Sequence, residues 1–272
     1  MLYLANIFAN YNKKAGSYDL TTAGKASIIV LMVIALVAAA YFIGKRDVKI
    51  STKQLTVSAV LIALAFVASN MKLFKMPMGG SITLFSMMFV CLIGYWYGIR
   101  AGILAGVTYG LLQLIVDPYI VTLPQLLTDY PLAFGALGLS GIGHHIDKKT
   151  ESTVFEFGGL QIGYILGVLG RYAFSVISGV VFFADWAPEG QSPLVYSLTY
   201  NISYLGVEGI ITLILISLAP VSQAIRLAGR IVASREDKED KKKAQKQATV
   251  GLVILIAVLL IGFVIAKFKL FK

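Results

Sequence analysis

Long runs of apolar residues recur along this chain, and they constrain its fold more than any other feature of the sequence. A helix needs about 20 apolar residues to cross a hydrocarbon layer ~30 Å thick. Hydrophobic residues make up 57% of the chain, charged residues only 14%, and the mean hydropathy is +0.79. The sequence therefore predicts an all-α integral membrane protein. Eight runs are predicted to span the membrane, at residues 26–43, 55–70, 83–97, 101–116, 124–143, 160–183, 195–219 and 248–267.

The first apolar run allows a second interpretation. Basic residues precede it and Ala38-Ala39-Ala40 could serve as a cleavage site, as in a secretory signal peptide. However, apolar sequence continues to Ile43, and Lys45 and Arg46 follow it as a basic stop. This arrangement favours a retained span.

The distribution of basic residues predicts the orientation of the six central spans. Segments 44–54, 98–100, 144–159 and 220–247 hold 4, 1, 2 and 8 Lys or Arg residues, whereas segments 71–82, 117–123 and 184–194 hold 2, 0 and 0. Cytoplasmic loops carry the excess of positive charge, so the first set is predicted to be cytoplasmic and the second set to face outward. Because the net charge of +10 lies mainly in these loops, it does not indicate nucleic-acid binding.

Several classes of function lack their sequence signatures. The chain contains no GxxxxGK[ST] phosphate-binding loop, no GxSxG serine elbow and no HExxH zinc motif, so neither ATP hydrolysis by that route nor any enzyme activity is predicted. The single cysteine, Cys91, excludes an intrachain disulfide framework. His144 and His145 are adjacent and lack further ligands, so no metal site is predicted. No cofactor is predicted either.

Four polar residues at membrane depth are the candidates for chemistry: Asp129, Arg171, Asn201 and Glu208. A charge at the centre of a span costs on the order of 3 kcal/mol, so such a residue is usually paired or faces a cavity. Asp129 and Arg171 could form a structural ion pair, or they could line an outward-facing pocket. Glu208 is assigned a structural role.

A helical face in the sixth apolar run carries the residues expected of a ligand pocket. Arg171, Ser175, Gly179 and Phe183 are spaced by four and share one face of a helix. A charge, a hydroxyl, a gap and a ring suit a small polar aromatic ligand, although a simple helix–helix contact is the alternative. Together with Asp129, they favour a flat organic cation held by charge pairing and cation–π attraction. The aromatic and amide candidates beside them are Tyr119, Gln125, Tyr130, Tyr196 and Asn201.

Small residues repeat at two places where helices are expected to pack closely. Gly94, Gly98, Gly102, Gly106 and Gly110 recur at every fourth position, a pattern that favours close contact between helices. Ala59 and Ala63 form a similar face on the second run, which is either internal packing or a docking surface for a partner helix.

The residues named above also support a family resemblance. The segments QLLTDYPLAFG at 125–135, GRY at 170–172, APEG at 187–190 and VYSL at 195–198 followed by Asn201 resemble the thiamine-specific substrate-binding subunits of energy-coupling factor transporters. The resemblance covers about residues 49–225. It implies a six-helix membrane core with a thiamine pocket near the outer face, closed by the first external loop. The domains expected are an extra transmembrane helix at 1–48, this core at 49–225, a charged cytoplasmic linker at 226–247 and a second extra helix at 248–272.

The resemblance also implies partners and site residues. Transport would require a transmembrane coupling subunit, docked on Ala59 and Ala63, and two cytoplasmic ATPases. The chain would lie in the bacterial plasma membrane, among membrane lipid. The substrate-binding positions implied are Tyr119, Asp129, Tyr130, Arg171, Ser175, Gly179, Phe183, Tyr196 and Asn201.

Three of these positions depart from the family pattern. Asp129 stands where a longer Glu is more common, Ser175 stands at a position expected to hold His, and Phe183 replaces an expected Trp. Losing the larger rings should weaken stacking by roughly 1 kcal/mol or more. A related pyrimidine or thiazole compound is therefore the alternative ligand. The alternative functions are a solitary proton-coupled transporter using Asp129 or Glu208, and a membrane-embedded enzyme or scaffold.

Overall fold

A computed structural model describes residues 7–12, 17–24, 27, 51–115, 118–146, 150–151 and 154–233. Within these residues, helical stretches stand at the positions of the six central predicted spans, and a seventh helix follows them. Two of the stretches are divided into consecutive segments. The bounds are α1 Thr52–Asn70, α2 Ser86–Tyr97, α3 Ile99–Gln113, α4 Leu123–Leu127 with Thr128–Leu132, Ala133–Gly135 and Ala136–His145, α5 Gly159–Phe182, α6 Pro193–Asn201 with Ile202–Gly206 and Val207–Ser217, and α7 Ala219–Ala233.

The helical membrane fold predicted from the apolar runs is confirmed. Among the described residues, three helices are long and apolar enough to cross a membrane: Thr52–Asn70, Gly159–Phe182 and Pro193–Ser217. The predicted extra spans at 26–43 and 248–267 fall outside the described residues, apart from Ser27, as does the linker from residue 234 onward.

Three short antiparallel hairpins accompany the helices. The second, which joins α1 to α2, pairs Lys72 with Thr83 and Lys75 with Ser81, and its turn is a short 3-10 helix at Pro77–Gly79. It occupies the segment that was predicted to be the first outward-facing loop. The strands are β1 Ala9–Asn12 with β2 Ser17–Leu20, β3 Lys72–Lys75 with β4 Ser81–Thr83, and β5 Thr150–Glu151 with β6 Glu156–Phe157.

The glycine repeat brings α3 into direct contact with α4, as predicted. A Cβ atom added to Gly102 would come within 2.8 Å of the Gly138 Cα atom, and one added to Gly110 would come within 2.8 Å of the Tyr130 carbonyl carbon. Gly106 faces the Phe134 carbonyl in the same way. Gly98 differs from the others because it has a φ of 87° and forms the turn between α2 and α3. One member of the repeat therefore serves the turn rather than the packing.

Helix α4 is interrupted where it carries the predicted site residues. Pro131 lacks the N–H group that an α-helix would use, and the backbone forms a π-helical turn at Thr128–Leu132. A second π-helical turn, at Ile202–Gly206, directly follows Asn201 on α6. Such turns are rare and frequently lie at functional sites.

Helix α7 packs against the end of the bundle that lies away from the β3–β4 hairpin. It was not predicted as a helix of its own, because its sequence was assigned to the cytoplasmic segment that follows the sixth central span. Arg226 forms an ion pair with Glu156, which is only 2% exposed, and Gln223 donates to the same carboxylate at 2.8 Å. The Gln161 amide on α5 donates to the Ser222 hydroxyl on α7 at 3.2 Å. The predicted domain boundary at residue 225 therefore falls inside a helix that is packed against the core.

Candidate functional site

A cavity of about 160 Å³ lies at the end of the bundle where the β3–β4 hairpin is located. This is the end that the distribution of basic residues predicts to face outward. Helices α1, α3, α4, α5 and α6 all contribute to the wall. All nine predicted substrate-binding positions line this one cavity: Tyr119, Asp129, Tyr130, Arg171, Ser175, Gly179, Phe183, Tyr196 and Asn201.

Asp129 supplies a carboxylate to the cavity, and a neutral group orients it. The Gln125 amide donates to Asp129 Oδ2 at 2.5 Å. Among the described residues no ion pair involves Asp129, whereas Glu156 and Arg226 form one at the other end of the bundle. The negative charge of Asp129 therefore remains available to a cationic ligand.

Arg171 lies in the same cavity but contacts a ring rather than Asp129. Its guanidinium carbon is 4.0 Å from the centroid of the Phe134 ring, which is the geometry of a cation–π interaction. Of the two roles considered for Asp129 and Arg171, the described residues support cavity lining and contain no direct ion pair between them.

Asn201 is buried and joins α5 to α6. Its amide nitrogen donates to the Ser175 carbonyl at 3.2 Å and to the Ser197 carbonyl at 2.9 Å, and its oxygen accepts from the Tyr204 hydroxyl at 2.9 Å. Both amide hydrogens are thus used within the protein, which leaves the second lone pair of the oxygen for a ligand. Asn201 therefore positions the two helices that carry the site.

On α5, residues spaced by four were predicted to share one face. The smallest of them, Gly179, lies against α6. At Gly179 a Cβ atom would overlap the Ser197 hydroxyl, so only glycine permits this approach. Phe183 lies near Tyr119, with ring centroids 6.0 Å apart and planes inclined by 33°. These two rings form an aromatic wall on one side of the cavity.

Two tyrosines on α6 that follow the predicted Tyr196 were not predicted from the sequence. Tyr200 and Tyr204 line the cavity with Tyr196, and successive ring centroids lie 6.0 and 5.6 Å apart. Their spacing of four along one helix is the signal that could have identified them. Tyr200 also holds the hairpin, because its hydroxyl donates to the Pro77 carbonyl and accepts from the Gly80 N–H at 3.1 Å.

Glu208 forms part of the cavity floor and has the structural role that was assigned to it. One carboxylate oxygen accepts from the Thr83 hydroxyl at 2.7 Å and from its N–H at 3.0 Å. The other accepts from the Ser86 hydroxyl at 3.1 Å and the Met87 N–H at 3.4 Å. The carboxylate thus caps the N-terminus of α2, where a negative charge is favoured.

The predicted docking residues lie away from the cavity. Ala59 and Ala63 are exposed on α1, whereas Ala65 and Ala68 face the core. The small-residue face at 59 and 63 is therefore not used for packing within the described part of the chain.

Comparison with known proteins places the chain in a family. The family model described as "Thiamine transporter protein" matches residues 55–228. The chain belongs to the thiamine transporter protein family. A curated member of this family, thiamine transporter ThiT of Bacillus subtilis, is 37% identical over 169 residues, which is 60% of this chain and 85% of that protein.

Two further relatives match the same part of the chain. Thiamine transporter ThiT of Lacticaseibacillus paracasei is 26% identical over 147 residues, covering 52% of this chain and 71% of that protein. A solved structure of ThiT from Listeria monocytogenes has 24% identity and a TM-score of 0.48, covering 60% of this chain and 92% of that one.

Membership in the family confirms several predictions made from the residues. The chain is a multi-pass bacterial membrane protein. It is a transporter rather than an enzyme. The family resemblance drawn from the segments around Asp129, Arg171 and Tyr196 is confirmed as well.

Proposed function

We propose that this chain captures thiamine at the outer face of the membrane, as the substrate-binding subunit of an ATP-driven energy-coupling factor importer. The observation that carries the proposal is the state of Asp129. Its carboxylate lies in a cavity lined by aromatic rings and is held by a neutral amide, with no cation paired to it among the described residues.

Thiamine fits this arrangement chemically. It carries a permanently charged thiazolium ring joined to an aminopyrimidine ring, so it offers both a cation and flat faces. A carboxylate favours the charge, and tyrosine and phenylalanine rings attract a cation and stack on flat rings. The names of the Bacillus and Lacticaseibacillus relatives agree with this ligand.

The coupling to ATP rests on the family resemblance and on the sequence. No phosphate-binding loop GxxxxGK[ST] occurs in the chain, so the energy for transport by an ATP-driven mechanism would come from other subunits. The partners proposed are a transmembrane coupling subunit, which would dock on the exposed Ala59 and Ala63, and two cytoplasmic ATPases.

Calorimetric titration of the purified full-length chain with thiamine tests the proposal. We expect tight binding by the unaltered chain and a loss of about 2–5 kcal/mol of binding free energy in Asp129→Asn, because truncating one partner of a buried charge pair costs that much. Glu189→Asn is the matched control, since Glu189 lies in an exposed turn. If the chain does not bind thiamine but binds another metabolite tightly, the proposed ligand is wrong.

A solitary proton-coupled transporter is the alternative mechanism. It requires a carboxylate at membrane depth that gains and loses a proton, and Asp129 or Glu208 would have to supply it. Reconstitution of the chain alone in vesicles discriminates the two mechanisms. Thiamine uptake driven by a pH gradient without ATPases would overturn the proposed ATP-driven import.

A further inference from the structure

Gln125 occupies a position in the cavity wall that the proposed function does not explain. It lies in the first turn of α4, is only 1% exposed, and lines the cavity beside Asp129. A buried amide side chain is costly unless its donors and acceptor are all satisfied. The partners that satisfy it therefore show what the residue does.

The Gln125 side chain joins two separate parts of the site. Its nitrogen donates to Asp129 Oδ2 at 2.5 Å and to the Tyr119 carbonyl at 3.2 Å. Its oxygen accepts from the Val121 N–H at 3.0 Å. The first bond reaches one helical turn along α4, and the other two hold the segment that leads into the helix.

The segment before α4 carries one of the rings that form the aromatic wall. The Tyr119 N–H donates to the Tyr130 hydroxyl at 2.8 Å, and the Tyr119 carbonyl accepts from Gln125. Side chains of α4 therefore bind both backbone groups of Tyr119. The ring of Tyr119 then lies 6.0 Å from that of Phe183. Its position depends on the Gln125 amide through the backbone.

We propose that Gln125 is a positioning residue that sets the Asp129 carboxylate and the Tyr119 ring as one unit for a cationic aromatic ligand. This inference rests on the proposed function. A neutral amide is suited to the role because it orients the carboxylate without cancelling its charge, as a lysine or arginine would. Glutamine also combines two donors and one acceptor at the required length, whereas glutamate cannot donate and asparagine is shorter.

Gln125→Met tests the proposal, because methionine keeps the length of the side chain and removes all three hydrogen bonds. We expect the affinity for thiamine to fall about tenfold to a hundredfold, the effect typical of a lost hydrogen bond to a charged group. The affinity for a neutral thiophene isostere of thiamine should fall less, since that ligand does not need the oriented charge. Gln223→Met is the matched control, because Gln223 also donates to a carboxylate, that of Glu156 at 2.8 Å, but at the other end of the bundle.

A double-mutant cycle with Asp129→Asn separates positioning from general stability. If Gln125 orients the carboxylate, the two losses of thiamine affinity are less than additive: Gln125→Met costs less in the Asp129→Asn background than in the unaltered chain, and the loss that remains comes from the Tyr119 ring. Additive losses, or equal losses for thiamine and the neutral isostere, would overturn the inference. So would an unchanged affinity in Gln125→Met while the unaltered chain binds thiamine. Failure of the unaltered chain to bind thiamine would instead contradict the proposed function.

Gln125→Glu is the second variant, to be used if Gln125→Met does not fold. It retains the shape of the side chain and the oxygen that accepts from Val121, but it replaces the donor to Asp129 by a second carboxylate oxygen. The thermal unfolding midpoint without ligand shows whether each variant is folded. A folded Gln125→Glu variant with unaltered thiamine affinity would contradict the proposal as directly as the methionine variant.

Discussion

Asp129 and Arg171 are accommodated at membrane depth in different ways. Arg171 places its guanidinium 4.0 Å from the centre of the Phe134 ring, so the face of the ring attracts its positive charge. Asp129 is held instead by the neutral Gln125 amide. Two opposite charges therefore face one cavity without a direct ion pair between them, which leaves the cavity with a distinct anionic position and a distinct cationic one.

The aromatic wall allows a prediction at the residue scale. Phe183→Trp should bind thiamine about twofold to tenfold more tightly, because the larger indole face adds stacking worth about 0.5–1.5 kcal/mol. Calorimetric titration measures the effect, and Phe157→Trp is the control, because the Phe157 side chain on β6 is exposed. Weaker binding would show that the cavity beside Tyr119 admits no larger ring.

Glu208 links three elements at the floor of the cavity. It stands on α6, accepts from Thr83 at the end of β4, and accepts from Ser86 and Met87 at the start of α2. The β3–β4 hairpin and the N-terminus of α2 are thus held by one carboxylate. Tyr200, which precedes Glu208 along α6, also holds the hairpin by accepting a hydrogen bond from the Gly80 N–H.

Glu208→Gln should destabilise the protein at this junction. An amide retains one acceptor oxygen but turns its NH2 group toward donors, so we expect a loss of about 1–3 kcal/mol of unfolding free energy. The midpoint of thermal unfolding in detergent, without ligand, measures it. Glu189→Gln is the control, since Glu189 lies in an exposed turn. Equal midpoints for the two variants would show that the four hydrogen bonds to Glu208 contribute little.

At the scale of the whole molecule, the cavity and the exposed small-residue face of α1 lie apart. The cavity lies under the β3–β4 hairpin, while Ala59 and Ala63 are exposed along α1. At the opposite end, α7 fastens the bundle through Arg226 and Glu156. The cavity and the exposed face at Ala59 and Ala63 are therefore separate surfaces of the described bundle, so the proposed ligand and the proposed partner would not compete.

The double substitution Ala59→Leu with Ala63→Leu should separate transport from binding. Two larger side chains on a close helix contact cost about 1–3 kcal/mol each by overpacking, so the coupling subunit should dock weakly and uptake in whole cells should fall. Thiamine affinity of the purified chain should stay unchanged. Val60→Leu, an exposed apolar neighbour, is the control. Unaltered uptake in the double variant would place the docking surface elsewhere.

Much of the architecture was predictable because it depends on local pattern. The apolar runs located the helices to within a few residues, from the second predicted run at 55–70, observed as Thr52–Asn70, to the seventh at 195–219, observed as Pro193–Ser217. The repeat of glycines predicted a close contact between helices, and the structure shows that α3 makes this contact with α4. Helix α7 was missed, because its polar residues are satisfied by Glu156 and Gln161, which are distant in sequence.

The sequence by itself determined that this chain is a helical membrane protein and which side chains stand at membrane depth, since hydrophobic length and helical spacing are properties of a single segment. Only the tertiary structure decided which partners those side chains meet. Asp129 is bound to Gln125 rather than Arg171, and Glu208 caps a helix more than 100 residues away in the chain. The reason is physical: Gln125 reaches Asp129 within one helical turn, whereas the distance from Asp129 to Arg171 and the helix that Glu208 caps depend on how neighbouring helices are rotated and placed against one another, which the packing of the whole bundle sets.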